Sequence, residues 1–129
     1  MRFFKRKKGS KYFNKKTVID GIKFDSKKEA KRYGELKALA DKGKIGYLND
    51  KVEIVPGLKV HVPFILQDSF KDKNKKTHRP IRYEADFFYF DFATGEWIAE
   101  DVKGYRTDIY RLKKKLFMKK YPEINFIES

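Results

Sequence analysis

Asp86 is an acid where the pattern calls for an apolar side chain. It lies inside IRYEADFFYFDF (81–92), directly before Phe87 and Phe88. Burying an unpaired carboxylate costs roughly several kcal/mol, or shifts its pKa until it neutralises. A divalent cation or a lysine partner removes that cost. Asp101 and Lys103 follow in the next extended segment. Residues i and i+2 of a strand share a face, so Asp101 and Lys103 project together and Val102 projects opposite. If the two segments pair through the Thr94-Gly95 turn, Asp86 and Asp101 approach one another on neighbouring strands. Two carboxylates and a main-chain carbonyl, completed by waters, are what octahedral Mg²⁺ accepts. A metal held there lowers the pKa of its bound water and neutralises phosphate charge, and a nearby ammonium orients the water or stabilises the transition state. Such chemistry needs an anionic substrate. The competing reading is a plain buried Asp86–Lys103 salt bridge, with Asp101 solvated at a strand end.

The elements that must position these residues can be read along the chain. TVIDGIKF (17–24) makes two short extended pieces around Asp20-Gly21, a tight-hairpin turn. Ser26 is a helix N-cap and Glu29 stands three residues later, the spacing of a capping box. The helix is expected to run to about Asp41 and to stop at Gly43, with Ala30, Tyr33, Leu36 and Ala40 as its buried stripe. Glu29 lies one turn before Tyr33 and borders that stripe. Lys51–Val55 reads as a strand, Pro56-Gly57 as a turn, and Leu58–Leu66 as a second strand that Pro63 confines to an edge or interrupts. QDSFKDKNKKTHRP (67–80) reads as a long exposed loop between hairpin strands. In 81–92, Tyr83, Ala85, Phe87 and Tyr89 are expected on one face, and Arg82, Glu84, Asp86, Phe88 and Phe90 on the other, as in a central strand covered on both sides. Trp97–Lys103 returns as its neighbour. Thr107-Asp108 caps a second helix with Ile109, Leu112 and Leu116 on its inner face. Pro122 ends that helix and Ile124–Ile127 is a last strand. The order implies an α/β fold with a central mixed sheet flanked by helices.

Composition narrows the partners. The chain has 129 residues, 32 Lys and Arg against 18 Asp and Glu, a net charge of +14, two histidines and no cysteine. That length predicts a single domain, 17–129, preceded by a basic mobile arm, 1–16, with eight Lys or Arg and no acid. Aromatic residues at 16% supply a core, which argues against disorder over the whole chain. Without cysteine there is no disulfide, thiolate metal site or Cys nucleophile. No apolar stretch is long enough to span a bilayer and no signal peptide is evident, so a soluble, cytoplasmic protein is expected. The charge points to polyanions. A membrane surface is disfavoured, because neither helix opposes its basic face with a strong Trp/Phe/Leu face.

YEADF (83–87), then EDVKG (100–104), then a basic helix, resembles the PD-(D/E)-x-K nuclease superfamily with its restriction-endonuclease-like fold. FDSKKEA (24–30), with the helix running on to Tyr33 and Leu36, is similar to a small phage-encoded family within it, Holliday-junction-resolvase-like in character. The resemblance covers about residues 14–128, and Ala85 stands where the superfamily's proline would be. It implies a Mg²⁺-dependent DNA endonuclease, with Mn²⁺ as substitute. Asp86 and Asp101 would bind metal with the Val102 carbonyl assisting, Lys103 would act on water or transition state, and Glu29 would join or support the metal site. Arg106, Lys113, Lys114, Arg79 and Lys76 are the candidate contacts to the nucleic-acid backbone. Branched DNA is the expected substrate and a homodimer the expected assembly, since two symmetric cuts need two active sites; a phage-encoded protein would act in the host cytoplasm. Two other readings stay open: a non-catalytic basic nucleic-acid-binding protein, and a nuclease acting on flapped or single-stranded DNA or on RNA. For Glu29 the capping box alone is a sufficient explanation. Glu84 reads as a surface strand residue, Glu100 faces away from Asp101, and His61 and His78 have no partners at ligand spacing.

Overall fold

The computed structural model describes residues 16–102 and 106–129. The expected basic arm lies outside the described residues, apart from Lys16, as does Lys103. The first hairpin joins β1 (Thr17–Ile19) and β2 (Ile22–Phe24). Its turn residues Asp20 and Gly21 have φ of 54° and 76°, the left-handed pair that a two-residue turn requires. Helix α1 (Lys27–Asp41) begins at Ser26, whose Oγ accepts from the Glu29 N–H at 3.1 Å. It buries Glu29, Ala30, Tyr33, Leu36 and Ala40, and Gly43 leaves it at φ 72°.

Strand β3 (Ile45–Leu48) pairs with β4 (Ile54–Pro56). The expected strand over Lys51–Val55 is mostly a turn instead. The Asn49 side-chain oxygen accepts from the N–H groups of Lys51 and Glu53, both at 2.9 Å, and Val52 takes φ 60°. A local side-chain hydrogen bond there outcompetes the strand pattern. Strand β5 (Lys59–Gln67) follows, then a small hairpin of β6 (Phe70–Lys71) and β7 (Thr77–His78), then β8 (Ile81–Asp91). The expected loop 67–80 is thus largely an ordered finger at the tip of the β5–β8 hairpin.

Strand β9 (Glu96–Asp101), helix α2 (Asp108–Lys120) and β10 (Ile124–Glu128) complete the chain. The six-stranded sheet runs β10-β9-β8-β3-β4, with β5 also on β8. Among the described residues only β10 and β9 are parallel, joined through α2, so the sheet is mixed. β8 is central: β9 lines one edge while β3 and β5 share the other. Among the described residues β5 pairs with β8 alone, and as an edge strand it tolerates Pro63. No helix among the described residues is long and apolar enough to cross a membrane.

Two cores lie on opposite faces of β8 and β9. One joins Phe87, Tyr89 and Ile98 to Phe24, Tyr33, Leu36 and Ala40; the other joins Ala99, Tyr83, Ala85 and Leu66 to Tyr110 and Phe117. This corrects the expected face of β8, because Tyr83 and Ala85 pack with α2 while Phe87 and Tyr89 pack with α1. The exchange of faces falls at Asp86. Opposite it in β5, between the paired residues Val60 and Val62, His61 has a left-handed φ of 54°. The pairing register is the same on both sides of this kink.

α2 is also rotated from its expected setting. Tyr110 and Phe117 are its buried residues, Leu116 is half-buried, and Ile109 and Leu112 are 68% and 59% exposed. Aromatic rings bury more surface than leucine or isoleucine, and Phe117 meets Phe64, Tyr83 and Phe126 edge-on or tilted.

Candidate active site

Two acids meet at the kink, Asp86 of β8 and Asp101 of β9, and a third, Glu29 of α1, is near enough for its charge to act on Asp86. In the β8–β9 register Phe87 is paired with Glu100, so Asp86 and Asp101 stand across from each other one step further on. Asp101 is 1% exposed, and its Oδ2 accepts from the Tyr83 hydroxyl at 2.6 Å. Asp86 is half-buried, and its Oδ2 accepts from the Val102 N–H at 2.8 Å. Burial, then the hydrogen bond and charge of Asp101, then the charge of Glu29, push the Asp86 carboxyl up to about 8, against the opposing pull of the Val102 N–H. Like charges this close do not both ionise readily. Burial and the Asp101 bond likewise raise the Tyr83 hydroxyl.

Glu29 is buried under the first turn of α1. Its backbone N–H completes the cap on Ser26, but its carboxylate turns to His61, with Oε2 at 2.9 Å from Nε2. The capping box therefore accounts for the backbone of Glu29, while its side chain belongs to the cluster with Asp86. Asp101 lies on the α2 side of the sheet and Glu29 on the α1 side. They meet around Asp86 because the strand changes faces there.

Glu100 faces the other way, as expected. It is fully buried, accepts from Arg32 Nη2 at 3.1 Å and from the Tyr89 hydroxyl at 2.7 Å, and Arg32 is the main hydrogen bond holding its carboxyl low against burial.

The expected nucleic-acid contacts divide into two groups. Arg106 reaches Glu128 at 3.0 Å and Lys114 reaches it at 3.3 Å, with the Lys114 ammonium also 5.4 Å from the Phe126 ring. With the Tyr110 hydroxyl added, these groups hold the Glu128 carboxyl down to about 2, Arg106 being the largest influence. Lys113 is half-buried on α2, while Lys76 and Arg79 are exposed on and beside the finger.

His61 is the residue that sequence reasoning passed over. Its partner is 32 positions away on another element, and neither periodicity nor ligand spacing carries a signal for it.

The donors fit a hard divalent cation: carboxylate oxygens suit Mg²⁺ or Mn²⁺, and the shared hydrogen bond between Asp86 and Asp101 marks a place where a cation could replace a proton. Among the described residues, however, no three His, Asp or Glu side chains are grouped so as to hold an ion as they stand. Cation binding would require the Asp86–Asp101 bond to open.

Fold and site together define an α/β domain whose central mixed sheet carries an acid pair between two helices. Residues 9–128 match the family model described as Protein of unknown function (DUF1064), and the chain belongs to that family. None of the curated proteins and none of the solved structures matches it.

Proposed function

We propose that the protein is a divalent-cation-dependent endonuclease of branched DNA, built on a restriction-endonuclease-like core. One observation carries this reading: Asp86 and Asp101 face each other across the two central strands, where burial and the neighbouring Asp101 push the Asp86 carboxyl up to about 8 and the charge of Glu29 adds to the shift. A protein that needed only stability would gain more from an apolar pair there. Asp86 and Asp101 would hold the ion, with the Val102 carbonyl assisting. His61 holds the Glu29 carboxylate in place to support them. When bound, the ion supplies Lewis acidity and a water of lowered pKa. Lys103, two residues beyond Asp101, would orient the attacking water or meet the charge on the phosphate. Exposed lysines would hold the flanking backbone, and a homodimer would present two such sites to a junction.

The test is incubation with labelled four-way junction, flap, single-stranded and duplex DNA, with Mg²⁺ or EDTA, beside folded Asp101→Asn and Lys103→Ala proteins. Junction-selective cuts that need Mg²⁺ and vanish in both variants are the expected result. Cuts in another substrate with the same dependence would keep the site and discard the junction. A second reading, a non-catalytic binder, is favoured by the Tyr83 and Val102 hydrogen bonds, which satisfy the acid pair without a metal. Binding by every protein with cleavage by none, under Mg²⁺ or Mn²⁺, would select it.

A further inference from the structure

The β6–β7 finger is more ordered than a basic tether needs to be. Asp72 organises its turn: one carboxylate oxygen accepts from the N–H groups of Asn74 at 2.8 Å and Lys76 at 3.0 Å, and the other meets His78 Nε2 at 2.8 Å. The His78 imidazole is thereby fixed, and the Phe70 ring stacks on it with centroids 4.8 Å apart and planes 18° from parallel. Phe70 is nonetheless 47% exposed. Around this half-open ring stand Lys71, Lys73, Lys75, Lys76 and Arg79, all exposed. The finger grows from β5 and β8, the strands that carry His61 and Asp86.

We propose that this finger binds an unpaired nucleobase, which stacks on Phe70 while the surrounding cations hold the adjacent phosphates. A paired, stacked base offers no free face, whereas a base at a branch point or in a single strand does. Stacking on aromatic side chains is how single strands are held without sequence preference, and the concentration of positive charge selects a polyanion as the occupant. A two-stranded hairpin this short is marginal alone, so the Asp72 and His78 contacts act to hold the ring ready before DNA arrives. The proposal rests on DNA being the ligand, and not on its being cut.

The test is binding in EDTA, so that cleavage plays no part, to a four-way junction and a single strand carrying 2-aminopurine, and to a plain duplex. The wild-type protein is expected to change 2-aminopurine fluorescence at the branch point. Phe70→Ala and Phe70→Leu should weaken single-strand and junction binding by about five- to a hundredfold with little change on duplex, and Phe70→Trp should retain wild-type affinity. Leu can still pack on His78 but has no π face, so its loss would not be a folding defect. Full affinity in Phe70→Leu, or equal losses on all three DNAs, would overturn the finger. A wild-type protein that binds none of them would instead overturn DNA as the ligand.

Discussion

At the scale of single residues, the acid pair would place opposite demands on folding and on the cation binding proposed for it. Asp86 has an ordinary value of 3.8 and is raised to about 8 in the folded chain, burial being the first cause. Between those values the folded state holds more protons than the unfolded one. The stabilising contribution of protonated Asp86 is therefore complete below pH 3.8 and is lost as pH rises through about 8, at a slope of at most about 1.4 kcal/mol per pH unit. Asp86→Asn should flatten this fall, so that urea unfolding shows the variant gaining on wild type between pH 5 and pH 8, while cleavage is abolished. Mn²⁺ should oppose the same loss by taking the proton's place, seen as a larger rise in thermal midpoint at pH 8 than at pH 5. His61 deserves equal weight. A non-glycine residue with φ 54° in mid-strand costs about 1 kcal/mol or more, and what it gains is the bond to Glu29. Asparagine tolerates that backbone but is too short to make the same contact. His61→Asn should keep stability within about 1 kcal/mol of wild type and weaken Mn²⁺ binding by about 10- to 100-fold, the usual loss when a ligand's supporting partner is removed. Calorimetric titration of Mn²⁺ measures this without any substrate. Unchanged Mn²⁺ affinity would reduce the His61–Glu29 bond to packing.

At the scale of elements, what was legible in the sequence was what local chemistry decides. Asp20-Gly21, the Ser26 cap and the Gly43 stop each act within a few residues, and each stands where the pattern put it. Asp86 was legible for a different reason, since an acid among aromatics is an anomaly wherever it occurs, and Asp101 was reached only through the expected pairing of its strand with that of Asp86 across the Thr94-Gly95 turn. The misreadings came where a distant or side-chain contact overrode the pattern. Asn49 closed a turn through residues that read as a strand, and the β8 faces exchanged opposite His61, a residue of another strand with left-handed φ. In α2 the periodicity of Ile109, Leu112 and Leu116 matched a helix face, but Tyr110 and Phe117 define a competing face with larger rings. Truncation distinguishes the two settings. Phe117→Ala should cost about 3–5 kcal/mol of unfolding free energy in urea, and Leu112→Ala about 0.5 kcal/mol or less. Comparable losses from both would mean that Leu112 is covered in solution, as a dimer contact through this helix would require.

At the scale of the whole molecule, the excess charge matters less than which cations are already engaged. Formal counting treats all 32 Lys and Arg alike, but Arg106 and Lys114 share Glu128, while Lys71, Lys73, Lys75 and Lys76 stand exposed on the finger. Each phosphate neutralised by a cation releases counterions and contributes about −0.9 to the slope of log affinity against log salt on duplex DNA, and about −0.7 on single strands. A cation paired with a carboxylate contributes only if that pair opens. Replacing the four finger lysines with glutamine should therefore reduce the magnitude of the slope by about three on junction DNA, measured by fluorescence anisotropy between 50 and 300 mM salt (roughly the range over which such slopes are resolved). Replacing Arg106 and Lys114 together should reduce it by less than about one. The reverse ranking would mean that DNA draws Arg106 and Lys114 away from Glu128, and would move the main backbone contact from the finger to α2 and the segment just before it.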